Sequence, residues 1–482
     1  MVHLSVIFRI TGILLTLFSL ALFLPAAIAW VYGEKTVATF ATAFAITVSA
    51  GLLLVAVSRG RGELRSGDGF LVTVLFYFGL GLFGAVPLYL ADAVNVSFTD
   101  AAFESMSGLT TTGATVLSGL DDLPRSLLFY RQLLQWLGGM GIIVLAVAVL
   151  PMLGIGGMQL YRAEFPGPMK ENKLTPRITE TAKALWFIYL GITVLCALSY
   201  WVAGMTLFDA VCHSFSTVAI GGFSTHDQSI GYFGNPAIES VAIVFMVIAG
   251  INFALHFVAW HKRDVRLYFH DREVRLYLVI LTGLALLVSL ILVSYSGTTG
   301  TPWRDGIFQA VSVATTTGFT TSNFSTWPSA APVLLLFAAF TGGCAGSTSG
   351  GFKVVRVLLI YLQGVREIRR LIHPNGVFTI KLGEHRVPDR VVEAVWGFFS
   401  VYVVTFLTMV PLLMLVSDEN FITAFSAVAA CLNNLGPGLG DVARNYAELS
   451  DPVKWILVVA MLLGRLEIFT LLVLLTPAFW RR

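Results

Sequence analysis

Stretches of about twenty residues with almost no charge recur along this chain, for example Gly12 to Ala29 and Phe40 to Val57. Each is long enough to cross a hydrocarbon core of ~30 Å as a helix. A helix also satisfies its own backbone polar groups where no water can do so. Only 12% of the 482 residues are Asp, Glu, Lys or Arg, and 56% are hydrophobic. A soluble domain carries about 25% charged residues. The chain is therefore read as an integral, multi-pass membrane protein.

The basic residues fall in short stretches between the apolar runs. One holds Arg59, Arg61 and Arg65, and the next Arg162, Lys170, Lys173, Arg177 and Lys183. A third holds Lys262, Arg263, Arg266, Arg272 and Arg275, and a fourth runs from Lys353 through Arg369 and Arg370 to Arg390. The intervening stretch from Met205 to Pro236 has neither Lys nor Arg. Retention of positive charge on the cytoplasmic side places both termini in the cytoplasm. The same retention accounts for the basic stretches without nucleic-acid binding. Leu4 to Trp30 reads as a retained span, since no small-residue cleavage signal follows it early enough. Cys196, Cys212, Cys344 and Cys431 show no CxxC spacing and support neither a metal site nor a disulfide framework.

Two spans at about 4–31 and 36–58 form a hairpin with a short turn at Tyr32 to Lys35. A different pattern then occurs four times: a long apolar span, about a dozen polar-tinged residues, a Gly/Thr-rich stretch and a second span. Its limits are near 69–159, 182–262, 274–362 and 391–478. The implied division is 1–66 for the hairpin, then repeats at 67–175, 176–268, 269–385 and 386–482. The short segments cannot span and read as re-entrant half-helices. Aligning the repeats on Gly113, Gly222, Gly318 and Gly436 brings other columns into register. Thirteen residues earlier stand Asp100, Asp209, Asp305 and Thr423; fifteen earlier stand Phe98, Leu207, Trp303 and Phe421. Six earlier stand Ser107, Ser216, Ser312 and Ala430. Each repeat begins after one basic stretch and ends at another or at Arg481–Arg482, so all four share one orientation. Inverted-repeat transporters require the opposite.

Asp or Thr at the head of a short helix suggests an N-cap. Such a helix would run inward and point its partial negative charge at the membrane centre, favouring a cation there. After it come Thr110-Thr111-Thr112-Gly113, Ala219-Ile220-Gly221-Gly222, Thr315-Thr316-Thr317-Gly318 and Asn433-Asn434-Leu435-Gly436. A cation filter is lined by main-chain carbonyls, so side-chain variety is tolerated while glycine is needed for the backbone angles. Each glycine could instead simply end its helix as a C-cap. In the third repeat, the run from Gly342 to Lys353 is too rich in Gly and Ser for a helix interior. Irregular backbone at that depth must be buried in protein or line water; close packing of small residues is the other reading. No Gly-Lys-Ser/Thr follows, so it is not a phosphate-binding loop. Arg465 and Glu467 lie in the last span and should face protein or a pore, or pair with each other. Glu104, His213, Asn252 and His256 read as packing and hydrogen-bonding residues. No HExxH, GxSxG or paired carboxylates point to a membrane enzyme, and parallel repeats disfavour a symporter of an organic solute.

The half-helix and TTTG-type loop, repeated four times in one chain, resemble the Trk/Ktr/HKT superfamily of potassium transporters. The extra N-terminal hairpin resembles its TrkH-type branch. The resemblance implies an all-α fold of about ten transmembrane helices, with four parallel membrane–pore–membrane hairpins around one potassium-channel-like pore. It implies a potassium filter at Thr111, Thr112, Gly113, Ile220, Gly221, Gly222, Thr316, Thr317, Gly318, Asn434, Leu435 and Gly436. It further implies an intramembrane gate carried by Gly342, Gly343, Gly346, Gly350, Gly351 and Lys353, with Arg465 as an electrostatic barrier. The transported ligand would be potassium, with rubidium and sodium as further candidates, and no organic cofactor is implied on this chain. The implied partners are a second copy in a homodimer and a cytosolic nucleotide-binding regulatory ring of the TrkA type, in a bacterial inner membrane. Each loop has one glycine at the key place, where the potassium-channel TVGYG loop has two, which implies looser discrimination against sodium.

Overall fold

The computed structural model describes residues 4–58, 68–148, 178–295, 300–382 and 385–480. Arg59, Arg61, Arg65, Arg162, Lys170, Lys173, Arg177, Arg481 and Arg482 therefore lie outside the described residues. Apart from a two-stranded ribbon pairing Lys381 with Arg386, the regular structure among them is helical.

The N-terminal hairpin is α1 (Leu4–Ala21) and α2 (Phe23–Val31), which together are long and apolar enough to span as one run, followed by α3 (Thr36–Val57). Its turn is fastened to the body. Both Glu34 carboxylate oxygens accept from the first backbone amides of α7 (Arg125–Ala148), from Arg125 N at 2.7 Å and Ser126 N at 3.1 Å. A carboxylate suits those unpaired amides at the positive helix end.

Four helix–half-helix–helix units follow. The first has α4 (Asp68–Gly84), α5 (Val86–Tyr89), the half-helix α6 (Phe98–Leu109) and α7. The second has α8 (Ile178–Val202), the half-helix α9 (Leu207–Val218), α10 (Pro236–Ala249) and α11 (Phe253–Lys262). After α12 (Arg266–His270), the third has α13 (Arg272–Ser294), the half-helix α14 (Pro302–Ala314), α15 (Ala331–Thr341) and α16 (Val354–Ile372). The fourth has α17 (Asp389–Val416), the half-helix α18 (Phe421–Leu432), α19 (Asp451–Arg465) and α20 (Ile468–Leu475), before a final turn α21 (Pro477–Trp480). Six described helices are long and apolar enough to cross a membrane, and two bent pairs bring the number to eight. The outer helices expose large apolar side chains such as Leu53, Val202 and Leu415, while the half-helices are buried in the centre. Apolar exposure on that scale fits a surface bathed in hydrocarbon.

The second spans of repeats 2 and 4 are less regular than expected. Only the third was expected to be interrupted, and there α15 and α16 do flank the break at 342–353. The second repeat also breaks, with α10 and α11 at 93°, and so does the fourth, with α19 and α20 at 114°. Asn252 explains the first of these: its Oδ1 accepts from Ala254 N at 2.8 Å and starts a new helix. In the fourth, Glu467 lies between the two helices with a positive φ of +57°, which no helix accommodates.

The half-helix heads also differ from expectation. Asp100, Asp209, Asp305 and Thr423 are not N-caps; the cap residues are Ser97, Thr206, Thr301 and Asn420. Ser97 Oγ accepts from Asp100 N and donates to Asp100 Oδ2, and Thr206 does the same with Asp209. The acid sits one turn inside, at the acidic place of a capping box, still beside the positive helix end. The repeat-4 residue Lys454 pairs with the repeat-1 residue Asp100 at 2.6 Å. Arg304 and Glu239 join repeats 3 and 2 through two bonds of 2.6 and 2.8 Å.

The packing of α7 on α6 leaves no room at Gly138, where an added Cβ would lie 1.9 Å from Leu109 O. The same contact recurs in repeat 4, where a Cβ on Gly464 would lie 2.1 Å from Leu432 O. Because the obstacle is backbone, Gly138→Val should cost about 3 kcal/mol or more and lower the melting temperature of the detergent-purified protein. Gly79→Ala, with nothing within 4 Å of the added atom, should leave the melting temperature unchanged.

Candidate functional site

The four half-helices end in one and the same way. Thr112, Gly221, Thr317 and Leu435 each donate a backbone N–H of 2.8 Å to the carbonyl five residues back, on Ser107, Ser216, Ser312 and Ala430. The preceding residues, Thr111, Ile220, Thr316 and Asn434, donate to the carbonyl three back, at 2.9–3.2 Å. This pair of bonds is the Schellman arrangement, whose left-handed position usually holds glycine. Here it holds Thr111 (φ +52°), Ile220 (φ +54°), Thr316 (φ +66°) and Asn434 (φ +53°). Three of these are β-branched, for which a positive φ costs on the order of 1–3 kcal/mol. The aligned glycines lie two residues further on, at φ +77° to +95°. They are therefore not the C-caps, and that alternative reading is set aside.

The glycines make a closed ring. A Cβ on Gly113 would lie 2.1 Å from Gly221 O, one on Gly222 2.0 Å from Thr317 O, and one on Gly318 2.0 Å from Leu435 O. One on Gly436 would lie 2.8 Å from Thr112 O, returning to the first repeat. Each glycine thus abuts the carbonyl just before the glycine of the next repeat. A cavity of about 710 Å³ opens on one side and reaches all four glycines. Repeat 2 departs from the symmetry: Gln135 Nε2 donates to Gly221 O at 2.6 Å, and Phe223 N donates to Gln135 Oε1.

Behind the ring, the residues nine before each glycine are Glu104, His213, Gln309 and Ala427. Three of them brace the extended segment that leaves the ring. Glu104 accepts from Val116 N and Thr115 Oγ1; His213 Nε2 bonds Ser224 Oγ; Gln309 Nε2 donates to Phe319 O. In the fourth repeat Ser426 takes over, accepting from Leu439 N and donating to Leu439 O. Arg131 is only 1% exposed. It pairs with Glu104 at 2.7 Å, donates to Ser224 O, and lies over the Phe223 ring. Its presence within the apolar run of α7 was the available signal in the sequence. On the cavity wall, His226 pairs with Asp121 and Asp209. Burial would lower its pKa, but hydrogen bonds from the ring to those two carboxylates outweigh burial and raise it.

The other side of the ring is covered by the segment from Gly342 to Lys353. Thr348 Oγ1 donates to Val218 O at 2.9 Å, Ser349 Oγ to Thr315 O at 2.6 Å, and Gly351 N to Asn433 O at 3.1 Å. Gly350 N donates to Thr316 Oγ1 at 2.8 Å. The segment thus contacts the ends of three of the four half-helices. Gly342, Gly346, Gly351 and Lys353 all have positive φ, between +66° and +80°. Gly343 lies against Gly250 O, and Gly350 against Asn433 O. Lys353 Nζ reaches back to Ser349 O. Arg465, 2% exposed, donates to Thr348 O at 2.9 Å and Gly138 O at 3.2 Å. Glu467, considered as its partner, instead pairs with Arg356 at 2.8 Å, because the bend after Arg465 turns it away. A small cavity of about 30 Å³ lies between this segment, Arg465 and Asn434.

Residues 35–482 match the family model described as TrkH, cation transport protein. The chain is 55% identical to the Trk system potassium uptake protein TrkH of Vibrio parahaemolyticus, over 98% of this chain and 99% of that one. It is 52% identical to the protein of the same name from Escherichia coli K12, over 99% and 100%. The crystal structure of the potassium transporter TrkH from Vibrio parahaemolyticus superposes with a TM-score of 0.92 at 52% identity, covering 99% of this chain and 100% of that one.

The buried Arg131–Glu104 pair yields a test of the ring's support. Glu104→Ala strands the guanidinium and should cost about 3–5 kcal/mol. Glu104→Ala combined with Arg131→Met should recover much of that loss. Thermal unfolding of the three proteins in detergent checks both expectations.

Proposed function

The chain belongs to the TrkH family of cation transport proteins, and we propose that it takes up potassium through the glycine ring. It is a transporter and not an enzyme. The observation that carries this reading is the closed sequence of glycine-to-carbonyl contacts, which sets four half-helix ends around one axis with a cavity above them. Each end contributes about half a negative charge, and four together favour a cation in a medium where charge is otherwise costly.

Beside each glycine, right-handed and left-handed residues alternate: Thr110 at φ −81° precedes Thr111 at φ +52°, and Ala219 at φ −73° precedes Ile220 at φ +54°. Backbone of alternating hand turns successive carbonyls to one side instead of to opposite sides. Carbonyl rings of that kind replace the hydration shell of potassium. On this reading the ligands are the carbonyls of Thr111, Thr112, Gly113, Ile220, Gly221, Gly222, Thr316, Thr317, Gly318, Asn434, Leu435 and Gly436. The asymmetry at Gly221, bonded to Gln135, supports discrimination among potassium, rubidium and sodium that is looser than a fourfold-identical filter would give. An inside-negative potential of 100 mV is worth ~2.3 kcal/mol per charge, roughly a fiftyfold gradient, so uptake needs no covalent chemistry.

The segment 342–353 is the gate, and Arg465 is the positive barrier beneath it. The loop's hydroxyls and amides occupy the same half-helix carbonyls that a hydrated cation would meet on leaving the ring. The unit boundaries 67–175, 176–268, 269–385 and 386–482 follow the repeats, with 1–66 as the hairpin. Both termini lie in the cytoplasm of a bacterial inner membrane, the protein works as a homodimer, and a cytosolic nucleotide-binding ring of the TrkA type moves the gate from the basic face. Potassium is the transported ligand, and any nucleotide binds the partner, since this chain carries no dinucleotide fingerprint.

Isotope flux in proteoliposomes tests the reading, with organic solutes as controls. Gly113→Ser and Gly318→Ser place a side chain against the carbonyls of Gly221 and Leu435 and should shift the potassium-to-sodium ratio by roughly tenfold, about 1.4 kcal/mol. An unchanged ratio in both variants contradicts the filter assignment.

A further inference from the structure

Resting on the reading of 342–353 as the gate, we infer that Glu273 is the positioning residue that holds that segment in its blocking place. Glu273 is the second residue of α13, and it is buried at 5% exposure. The helix start that carries it is itself fixed, since Asp271 Oδ1 accepts from Glu273 N at 2.8 Å and Val274 N at 3.1 Å. A single oxygen of the side chain, Oε1, accepts two backbone amides: Ala345 N at 2.7 Å and Val355 N at 3.1 Å.

The position of those two amides gives the contact its meaning. They bracket the residues that touch the half-helix ends, Thr348 to Gly351. One carboxyl oxygen therefore closes the neck of the loop, as a drawstring closes a bag. The neighbouring ties are backbone bonds to the bend of the second repeat, from Cys344 N to Gly250 O at 2.9 Å and from Phe253 N to Gly346 O at 3.0 Å. Glu273 joins the loop to α13 from within the basic stretch that runs from Lys262 to Arg275. Movement of that cytoplasmic stretch would pull on the atom that holds the neck.

The direction of the effect follows from solvation. With the loop seated, Ala345 N and Val355 N are inside the protein, and Glu273 supplies their acceptor. Remove the carboxyl group and both amides are left without their acceptor in the seated state, which is costly. A displaced loop exposes the same amides to water, which satisfies them. Losing Glu273 therefore disfavours the seated state relative to the displaced one and should open the conduit.

The test uses the full-length protein in proteoliposomes, with radioactive rubidium uptake in the absence of any partner. Glu273→Ala should raise basal uptake on the order of tenfold, within the cost of leaving a buried amide unpaired, with an unchanged potassium-to-sodium ratio. Glu273→Gln keeps an acceptor oxygen at the same reach and should stay within roughly threefold of the parent. Cys344 is fully buried beside the neck. With Cys196, Cys212 and Cys431 replaced, its maleimide labelling should accelerate in Glu273→Ala at an unchanged gel-filtration volume. A variant shortened between Gly342 and Gly351 runs alongside. If shortening raises uptake and Glu273→Ala changes neither uptake nor labelling, the positioning role is overturned while the gate stands. If neither variant raises uptake, the gate reading falls and this inference with it. A changed ion ratio in Glu273→Ala would show that the residue acts on the ring, and would overturn it as well.

Discussion

The structure depends on four glycines packed against backbone. Gly113, Gly222, Gly318 and Gly436 each stand where a Cβ would run into a carbonyl of the next repeat. The contacts close only because the fourth repeat returns to the first. That closure fixes how far the half-helices may approach one another, and so fixes where their negative ends lie. The Schellman bonds that end each half-helix use a non-glycine at positive φ, a conformation that persists only when its surroundings over-determine it. The surrounding burial is complete: Thr111, Ile220, Thr316 and Asn434 are all within the core.

A single chain with four repeats has a freedom that four identical subunits lack. The brace behind the ring is an ion pair in repeat 1, an imidazole in repeat 2, an amide in repeat 3 and a serine in repeat 4. The second spans diverge as well, bending in repeats 2 and 4 and opening into a loop in repeat 3. Each bend places polar backbone at depth, and each is enclosed by protein, as the absence of water in hydrocarbon requires. The bends meet beneath the ring: Gly250, at the first, accepts from Cys344 of the loop, and Arg465, at the second, donates to Thr348 of the loop.

Arg465 and Arg131 show two ways of keeping a buried cation. Arg131 has a carboxylate, Glu104, at 2.7 Å, together with neutral acceptors. Arg465 is held by the carbonyls of Thr348 and Gly138. Carbonyl dipoles stabilise a guanidinium without cancelling its charge, so a positive field persists under the ring.

The sequence by itself determined the membrane class, the fourfold repeat, the parallel orientation and the position of the ring glycines. Each of these follows from local physics: apolar run length, charge placement, and the requirement for glycine at positive φ. It also located the break at 342–353, because glycine and serine disfavour a helix interior wherever they stand. Tertiary structure alone decided which carbonyl each glycine meets, since that partner lies about one hundred residues away or more. It decided that Asp100 and Asp209 sit inside their helices behind Ser97 and Thr206, a shift of one turn that residue type cannot settle. It decided that Glu467 pairs with Arg356 and not Arg465, because a bend of 114° intervenes. It also brought Glu273 to the neck of the loop, a long-range contact between a helix start and two backbone amides that carry no side-chain signature. Local propensity is written residue by residue, whereas the pairing of distant backbone groups is settled only when the ring closes.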